Sequence, residues 1–371
     1  MYRFVLVISL LPSSLLCQQL DMPRFSTRID FEIPGDGEGY YLTTVGGIAT
    51  LADGSIVVLQ RRDEALKVFS STGRYTRTVG GPGAGPGEFK APWGMGTHGD
   101  SVWVWDRALG RISVFDPELR FVRSQLVPTP GQGVLLADGS VVALPVQRFS
   151  AYPDPGERQP AVVGHLDFGG HLVDTLFVAS VDYHVLRYPY QGGFIVGRQP
   201  FEDGPLLTFA PDGSSFVHVE RPARDGGTGT TFRVTRMTEH GDTLYSEAYL
   251  YDPIPIRPSD IDAAVEYLRG SGSEDRARER RIREALYIPD HRPTVTQVVI
   301  GTDGFVWLRR EDSGANTVRW TVLNPTGQLS YSVELPASAS VLSATRNAAW
   351  GVILDEEDVP SIVRYRVVAR D

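Results

Sequence analysis

Gly80-Gly-Pro-Gly-Ala-Gly-Pro-Gly-Glu-Phe-Lys-Ala-Pro-Trp-Gly94 decides how this chain is read. Seven of its first eight residues are Gly or Pro, and strand-like runs flank it on both sides. A flexible linker and a phosphate-cradling loop are two readings of such a run. Yet the stretch ends in an aromatic and proline anchor (Phe89, Pro92, Trp93), which a linker does not need. It also lacks the Lys-Ser/Thr that follows the glycines of a P-loop. A tight crossover between neighbouring β-sheets remains, in which Gly supplies positive φ and Pro fixes the path.

On either side of the crossover the sequence repeats. Upstream, Ile48–Leu59 reads as strand, Asp53-Gly54 turn and strand, followed by the strands Ala65–Phe69 and Tyr75–Val79. Downstream, Gly94–Trp105 turns at Gly99, and Arg111–Phe115 and Phe121–Gln125 follow. Further turn anchors fall at Asp138, Asp212, Asp303 and Asn347, giving spacings of 46, 39, 74, 91 and 44 residues. Three of these match the period of a four-stranded propeller blade. The two long intervals carry extra sequence. In the first, residues 150–159 and 181–205 hold Pro, Gly, Tyr and charge but no second Asp-Gly hairpin. In the second, Pro258–Arg292 reads as helix. Ser259-Asp-Ile-Asp262 resembles a capping box, and Ile261, Ala264, Val265 and Leu268 recur at helical spacing. Before the first repeat, Arg28–Pro34 alternates Ile29, Phe31 and Ile33 with Arg28, Asp30 and Glu32. A lone leading strand suits a circular fold whose last sheet is completed by the N-terminus. The expectation is an all-β, six-bladed β-propeller over residues 28–371, with a helical insertion at 258–292 between blades 4 and 5. A seventh blade stays open through residues 183–204.

The Gly85–Pro92 run resembles the inter-blade signature of NHL-type propellers, as does Val102-Trp-Val-Trp-Asp106 with Arg111-Ile-Ser-Val-Phe-Asp116. Repeat count and leading segment resemble a bacterial family of exported six-bladed β-propellers. The likeness is specific over Ile48–Leu126, moderate in the fifth repeat, and weak in the third, fourth and sixth. Gln60 stands where Asp106 stands in the next repeat, so the motif is already eroded. The resemblance implies a fold and no single activity, because propellers host many functions.

Composition agrees with a large core: 42% of the 371 residues are hydrophobic and 10% aromatic, with 39 Gly and 26 Pro for turns. A net charge of −9 implies no broad basic surface and argues against nucleic acid as partner. Met1-Tyr-Arg3, the apolar run Phe4–Leu11 and the break at Pro12 form an export signal over residues 1–17, too short for a membrane span. The chain is expected in the periplasm or outside the cell, as a monomer. Cys17, the single cysteine, sits where a lipoprotein signal places its acylated residue, although Ser14-Leu15-Leu16 lacks the usual small residues. Simple cleavage near Cys17 is the expectation, with a lipid anchor on Cys17 as the alternative.

Catalytic patterns are sparse. The seven histidines (His98, His165, His171, His184, His218, His240 and His291) show neither H-x-x-x-H nor H-E-x-x-H spacing. No G-x-S-x-G elbow or Ser-x-x-Lys pair occurs, and Asp312-Ser-Gly314 reads as a turn. Asp106 and Arg111 read as a pair closing a hairpin. Gln60, Asp106, Trp307 and Arg309 near the ends of second strands, with Arg198 from another part of the ring, are candidates for a polar rim on one face. Arg276, Arg280 and Arg283, in the one dense basic run, are candidates for docking an acidic partner or anionic ligand. The function expected is recognition of a protein or small molecule through one face, without cofactor. A propeller hydrolase or lyase using axial Ca²⁺ or Zn²⁺ is the rival, and a subunit docked on an envelope complex through the helical insertion is a third reading.

Overall fold

Every residue of the strands Ile56–Gln60 and Ala65–Phe69 is buried, whereas Tyr75–Val79 keeps its three middle residues exposed. Such a gradient arises when central strands have other sheets against both faces, so no polar side is left to them. Lys67 obeys the same constraint: its ammonium lies 2.5 Å from an Asp63 carboxylate oxygen and also donates to the Tyr41 carbonyl.

This plan occurs six times in the computed structural model, which describes residues 22–127, 131–136, 139–145, 158–167, 169–182, 184–221, 231–270, 275–311 and 316–369. The signal segment with Cys17, the Asp138 anchor and the 312–314 turn lie outside the described residues. Blade 1 is Val45–Thr50, Ile56–Gln60, Ala65–Phe69 and Tyr75–Val79, and blade 2 is Pro92–His98, Ser101–Asp106, Arg111–Phe115 and Phe121–Leu126. Blade 3 is Gly131–Leu135, Val141–Pro145, Arg158–Leu166 and Leu172–Asp182. Blade 4 is Leu206–Phe209, Ser215–Glu220, Thr231–Thr238 and Thr243–Leu250, and blade 5 is Val295–Ile300, Val306–Arg310, Thr317–Leu323 and Leu329–Pro336. Blade 6 has three strands from the C-terminus, Ser340–Thr345, Ala348–Leu354 and Pro360–Val368. Its fourth is Arg24–Ile33, antiparallel to Pro360–Val368, with Asp30 paired to Arg364 at 2.7 Å and to Arg366 at 3.3 Å. The leading strand thus closes the ring. It also reaches further: Arg24 and Phe25 pair in parallel with Ser332 and Val333, merging blades 5 and 6 into one eight-stranded sheet.

Aromatic side chains tie blades together by donating to carbonyls of turns in other blades. Tyr249 reaches Gly327, Trp307 reaches Thr345 at 3.1 Å, and Tyr331 reaches Arg346. Trp103 of blade 2 spans past the short inner strand of blade 3 to the Pro211 carbonyl of blade 4, at 3.2 Å.

Gly80–Ala91 is the crossover from blade 1 to blade 2. Gly80 has φ +76°, and a Cβ there would lie 2.5 Å from the Phe89 ring. Asp106 and Arg111 are cross-strand neighbours, but they grip different parts of this loop, its C-terminal end and its middle, instead of each other. Asp106 accepts from the Lys90 amide at 2.7 Å and the Leu109 amide at 2.9 Å, while Arg111 donates to the carbonyls of Ala84, Gly85 and Glu88.

Among the described residues, 184–204 contribute no seventh blade. Val185–Tyr190 and Gly193–Arg198 form a two-stranded ribbon, and the helical stretch is two helices, α1 (Pro258–Arg269) and α2 (Arg276–Ala285). Leu186 and Tyr188 of the ribbon share a core with Val265 of α1 and Ile282 of α2. An isolated ribbon is marginal in water, so its backing of helices is what holds it. Gln199 joins the two pieces, donating to the Ala285 carbonyl at 2.8 Å and accepting from the Tyr287 amide at 3.0 Å. His184 stacks on Tyr287 with centroids 3.4 Å apart.

Candidate ligand-binding site at the mouth of the axial channel

Antiparallel strands alternate direction, so in each blade the second-to-third turn shares a face with the connection to the next blade. The ribbon and the helix pair are successive connections of that kind, from blade 3 to 4 and from 4 to 5. They therefore rise side by side on one face. The other face carries the tight turns, among them Gly54, Gly213 and Gly304 at positive φ.

Inner strands begin on the elaborated face, and there the ladder is irregular. Blades 1, 2 and 5 each have a bulge after the first inner-strand residue, at Gly46, Trp93 and Thr296. A bulge re-aims its side chain out of the sheet. The neighbouring position, just past the second strand, holds Arg61, Arg107 and Glu311. Trp93 is 45% exposed, with the Arg61 guanidinium 4.3 Å from its ring centre and Arg107 at 5.7 Å. Arg61 is fixed by two hydrogen bonds to the Trp93 carbonyl, at 3.2 and 2.8 Å. Gly46 makes this approach possible, since a Cβ there would come within 2.6 Å of Arg61 Nε. Burial lowers the Arg61 pKa from its ordinary value, and guanidinium starts so high that it stays charged. At blade 5, Glu311 is held by Thr296 at 3.2 Å and Arg309 at 3.7 Å.

Below this mouth runs an axial cavity of roughly 340 Å³. Thr208, Gln297, Ser343 and Thr345 line it together with apolar residues such as Ile48, Met95 and Val299. Trp103 and Pro211 line it as well, so their hydrogen bond crosses the axis near the tight-turn face.

The residues proposed from sequence for a polar rim separate into two groups. Gln60, Asp106 and Trp307 are fully buried and present no solvent-facing surface. Gln60 accepts from the Thr43 amide at 2.6 Å, doing in blade 1 what Asp106 does in blade 2. Trp307 packs against Trp320 and Tyr331. Arg310, and not Arg309, occupies the Asp106 position. It is buried over Phe232 and donates to the Thr294 carbonyl at 3.0 Å. Arg309 remains at the mouth beside Glu311, while Arg198 is exposed on the ribbon. Arg276, Arg280 and Arg283 are exposed on α2, and Arg283 is engaged by Asp262 at 2.7 Å. His218 lies within the strand Ser215–Glu220, and burial takes its pKa down to about 4. Among the described residues no group of three His, Cys, Asp or Glu is placed to hold a metal ion.

Sequence reasoning missed Arg61, Trp93 and Arg107. A signal existed: an arginine follows the last polar residue of three second strands, as Gln60-Arg61, Asp106-Arg107 and Glu220-Arg221. Arg221 shows that this position alone does not make a site. It is buried, with its pKa lowered to about 10, and binds the carbonyls of Glu202, Gly204 and Val295.

Residues 42–129 match the DUF5128 family, described as a 6-bladed beta-propeller. Two solved structures share the architecture over 93% of this chain and 99% of theirs. One is a protein of Bacteroides fragilis NCTC 9343 described as exported, at 12% identity and TM-score 0.50. The other is a DUF4221 family member from Bacteroides vulgatus ATCC 8482, at 9% identity and TM-score 0.51. The chain is a six-bladed β-propeller. No curated protein matches it in sequence. At these identities the likeness concerns the fold alone, and the mouth must be read from its own chemistry. Among the described residues no helix is long and apolar enough to cross a membrane.

Proposed function

We propose that this propeller is an exported binding protein that captures a small planar carboxylate at the mouth of its axial channel. The observation carrying this reading is Trp93, turned out by a bulge and held beside two arginines above an open cavity. An indole offers a face for stacking, and a guanidinium beside it matches a carboxylate in plane and charge. Both are held before a ligand arrives, which reduces the ordering cost of binding. Nothing in this chemistry makes or breaks a bond. Export is supported by the leading segment Met1–Cys17 and by the description of the B. fragilis neighbour.

Calorimetric titration with benzoate, indole-3-carboxylate and their neutral amides tests the proposal. The acids are expected to bind at least tenfold tighter than the amides, and Arg61→Gln and Trp93→Ala each to abolish that preference. Equal affinity for acid and amide, or binding unchanged in Trp93→Ala, would overturn it.

A further inference from the structure

Four glycines on the inner strands of blades 1 and 2 line the axial cavity: Gly46, Gly47, Gly94 and Gly96. Three of them are fixed by their neighbours. A Cβ on Gly46 would come within 2.6 Å of Arg61 Nε, and one on Gly47 within 2.5 Å of Met95 Cγ. At Gly96 the Pro211 carbonyl and the Trp103 ring stand where the Cβ would be. Gly94 differs. Apart from its two chain neighbours, no atom lies within 4 Å of the position that a Cβ would take there.

Nothing in the fold calls for glycine at this position. Gly94 is not among the residues at positive φ, so its backbone accommodates an L side chain. It pairs with Trp105 where the ladder resumes beyond the Trp93 bulge. Glycine inside a strand weakens it, and marks places where a ligand or another backbone comes close. No other backbone comes close here, and the bare Cα borders the cavity directly beside Trp93. A ligand remains as the reason for the missing side chain.

Resting on the reading of the mouth given above, we propose that the ligand is a flat carboxylate of two fused rings, and that Gly94 is the residue that admits its second ring. The carboxylate meets the arginines at the rim, and the first ring lies beside Trp93. The cavity of roughly 340 Å³ continues below that ring, and its volume falls in the range of sites that enclose most of a small ligand. Ile48, Met95 and Val299 give it apolar lining. The bare peptide of Gly94 offers the second ring a surface that it can approach closely. The hydrogen bond from Trp103 to the Pro211 carbonyl limits how deep the ring descends. Arg61 and Trp93 thus select charge and an aromatic face, while Gly94 selects the length of the flat body.

Titration calorimetry with 2-naphthoate, benzoate and their two neutral amides tests the assignment, on the unaltered chain and on Gly94→Ala and Gly94→Val. The unaltered chain is expected to bind 2-naphthoate at least tenfold tighter than benzoate. Gly94→Val should remove that advantage and Gly94→Ala part of it, while benzoate changes less than twofold in both. The melting temperature should hold or rise, because replacing glycine at an unstrained position reduces the freedom of the unfolded chain. Naphthoate binding no tighter than benzoate, or an advantage that survives Gly94→Val, would overturn the proposal. Its failure is separable from that of the mouth. If acids bind no better than amides, the mouth reading falls. If acids bind better but the two-ring advantage ignores residue 94, only the Gly94 assignment falls.

Discussion

Gln60, Asp106 and Arg310 occupy one position in three blades, and each makes a side-chain hydrogen bond to the backbone of a connection beside it. The sequence shows their equivalence but not their direction, because a polar residue ending a strand can turn to solvent or back to an amide. Trp307 was misread for a related reason. Apolar alternation does not reveal that both sides of a strand are covered, and in blade 5 both are. His218 carries the clearest consequence at this scale. It lies against Phe177, with its Nε2 buried and unpartnered, and burial takes its pKa from 6.5 to about 4. Its folded-state pKa is depressed, so below pH 6.5 the unfolded chain binds the proton more readily. The stability involved is roughly 3 kcal/mol, fully present above about pH 6.5 and lost as the pH falls through 4. Urea unfolding at pH 7 and pH 5 should show this loss, and His218→Met should flatten it. An unchanged pH slope in that variant would assign the acid sensitivity to other groups.

Helix α1 was legible from its apolar spacing, yet its start was not. Arg257 is the N-cap, and Asp260 accepts from the Arg257 amide at 2.8 Å, so the cap falls two residues before the Ser259 that the motif suggested. Pro258 explains the shift: its fixed φ suits the first helical turn, where its missing N–H is not needed. The ribbon was ambiguous because strand-like composition alone cannot tell a blade from a hairpin that borrows its core from helices. The closing strand shows the reverse: its alternation gave its role, while its second attachment to blade 5 was invisible. Phe25 sits edge-on to Tyr331 at 5.1 Å, and the Ser332 amide donates to the Pro23 carbonyl. Phe25→Ala is therefore expected to cost about 2 kcal/mol of stability. Hydrogen exchange should locate the loss in the strands Leu329–Pro336 and Arg24–Ile33 together. A loss confined to blade 6 would contradict the bridging role. At the same seam, hydrogen bonding by Arg364 first, and then by Arg366, keeps the Asp30 pKa below its ordinary value. That contribution is present above pH 4 and disappears as the pH falls below it.

Six blades, the terminal closure and an insertion between blades 4 and 5 were all readable, because each rests on a periodic pattern. The partnership of the two insertions was not, since the 59 residues 199–257, with blade 4 among them, separate elements that share one core. That partnership changes how the module should be removed. Deleting Pro258–Arg292 alone would strip the cover from Leu186 and Tyr188 and expose them to water. Replacing the helices and residues 185–198 together with short Gly-Ser links should leave a folded ring, its melting temperature lowered by only a few degrees. The helices-only deletion should aggregate. If it stayed as soluble and as stable as the double replacement, the shared core would be of little account.

Ring closure joins residues as far as 342 positions apart, which places a constraint on time as well as space. During translation, at about 5–20 residues per second, the first strand made must wait on the order of half a minute for its partner, the last. Arg28, Asp30 and Glu32 keep one side of that waiting strand charged, which discourages pairing with other chains. The charges on this strand thus protect the chain before the ring exists, and Asp30 then helps to lock it.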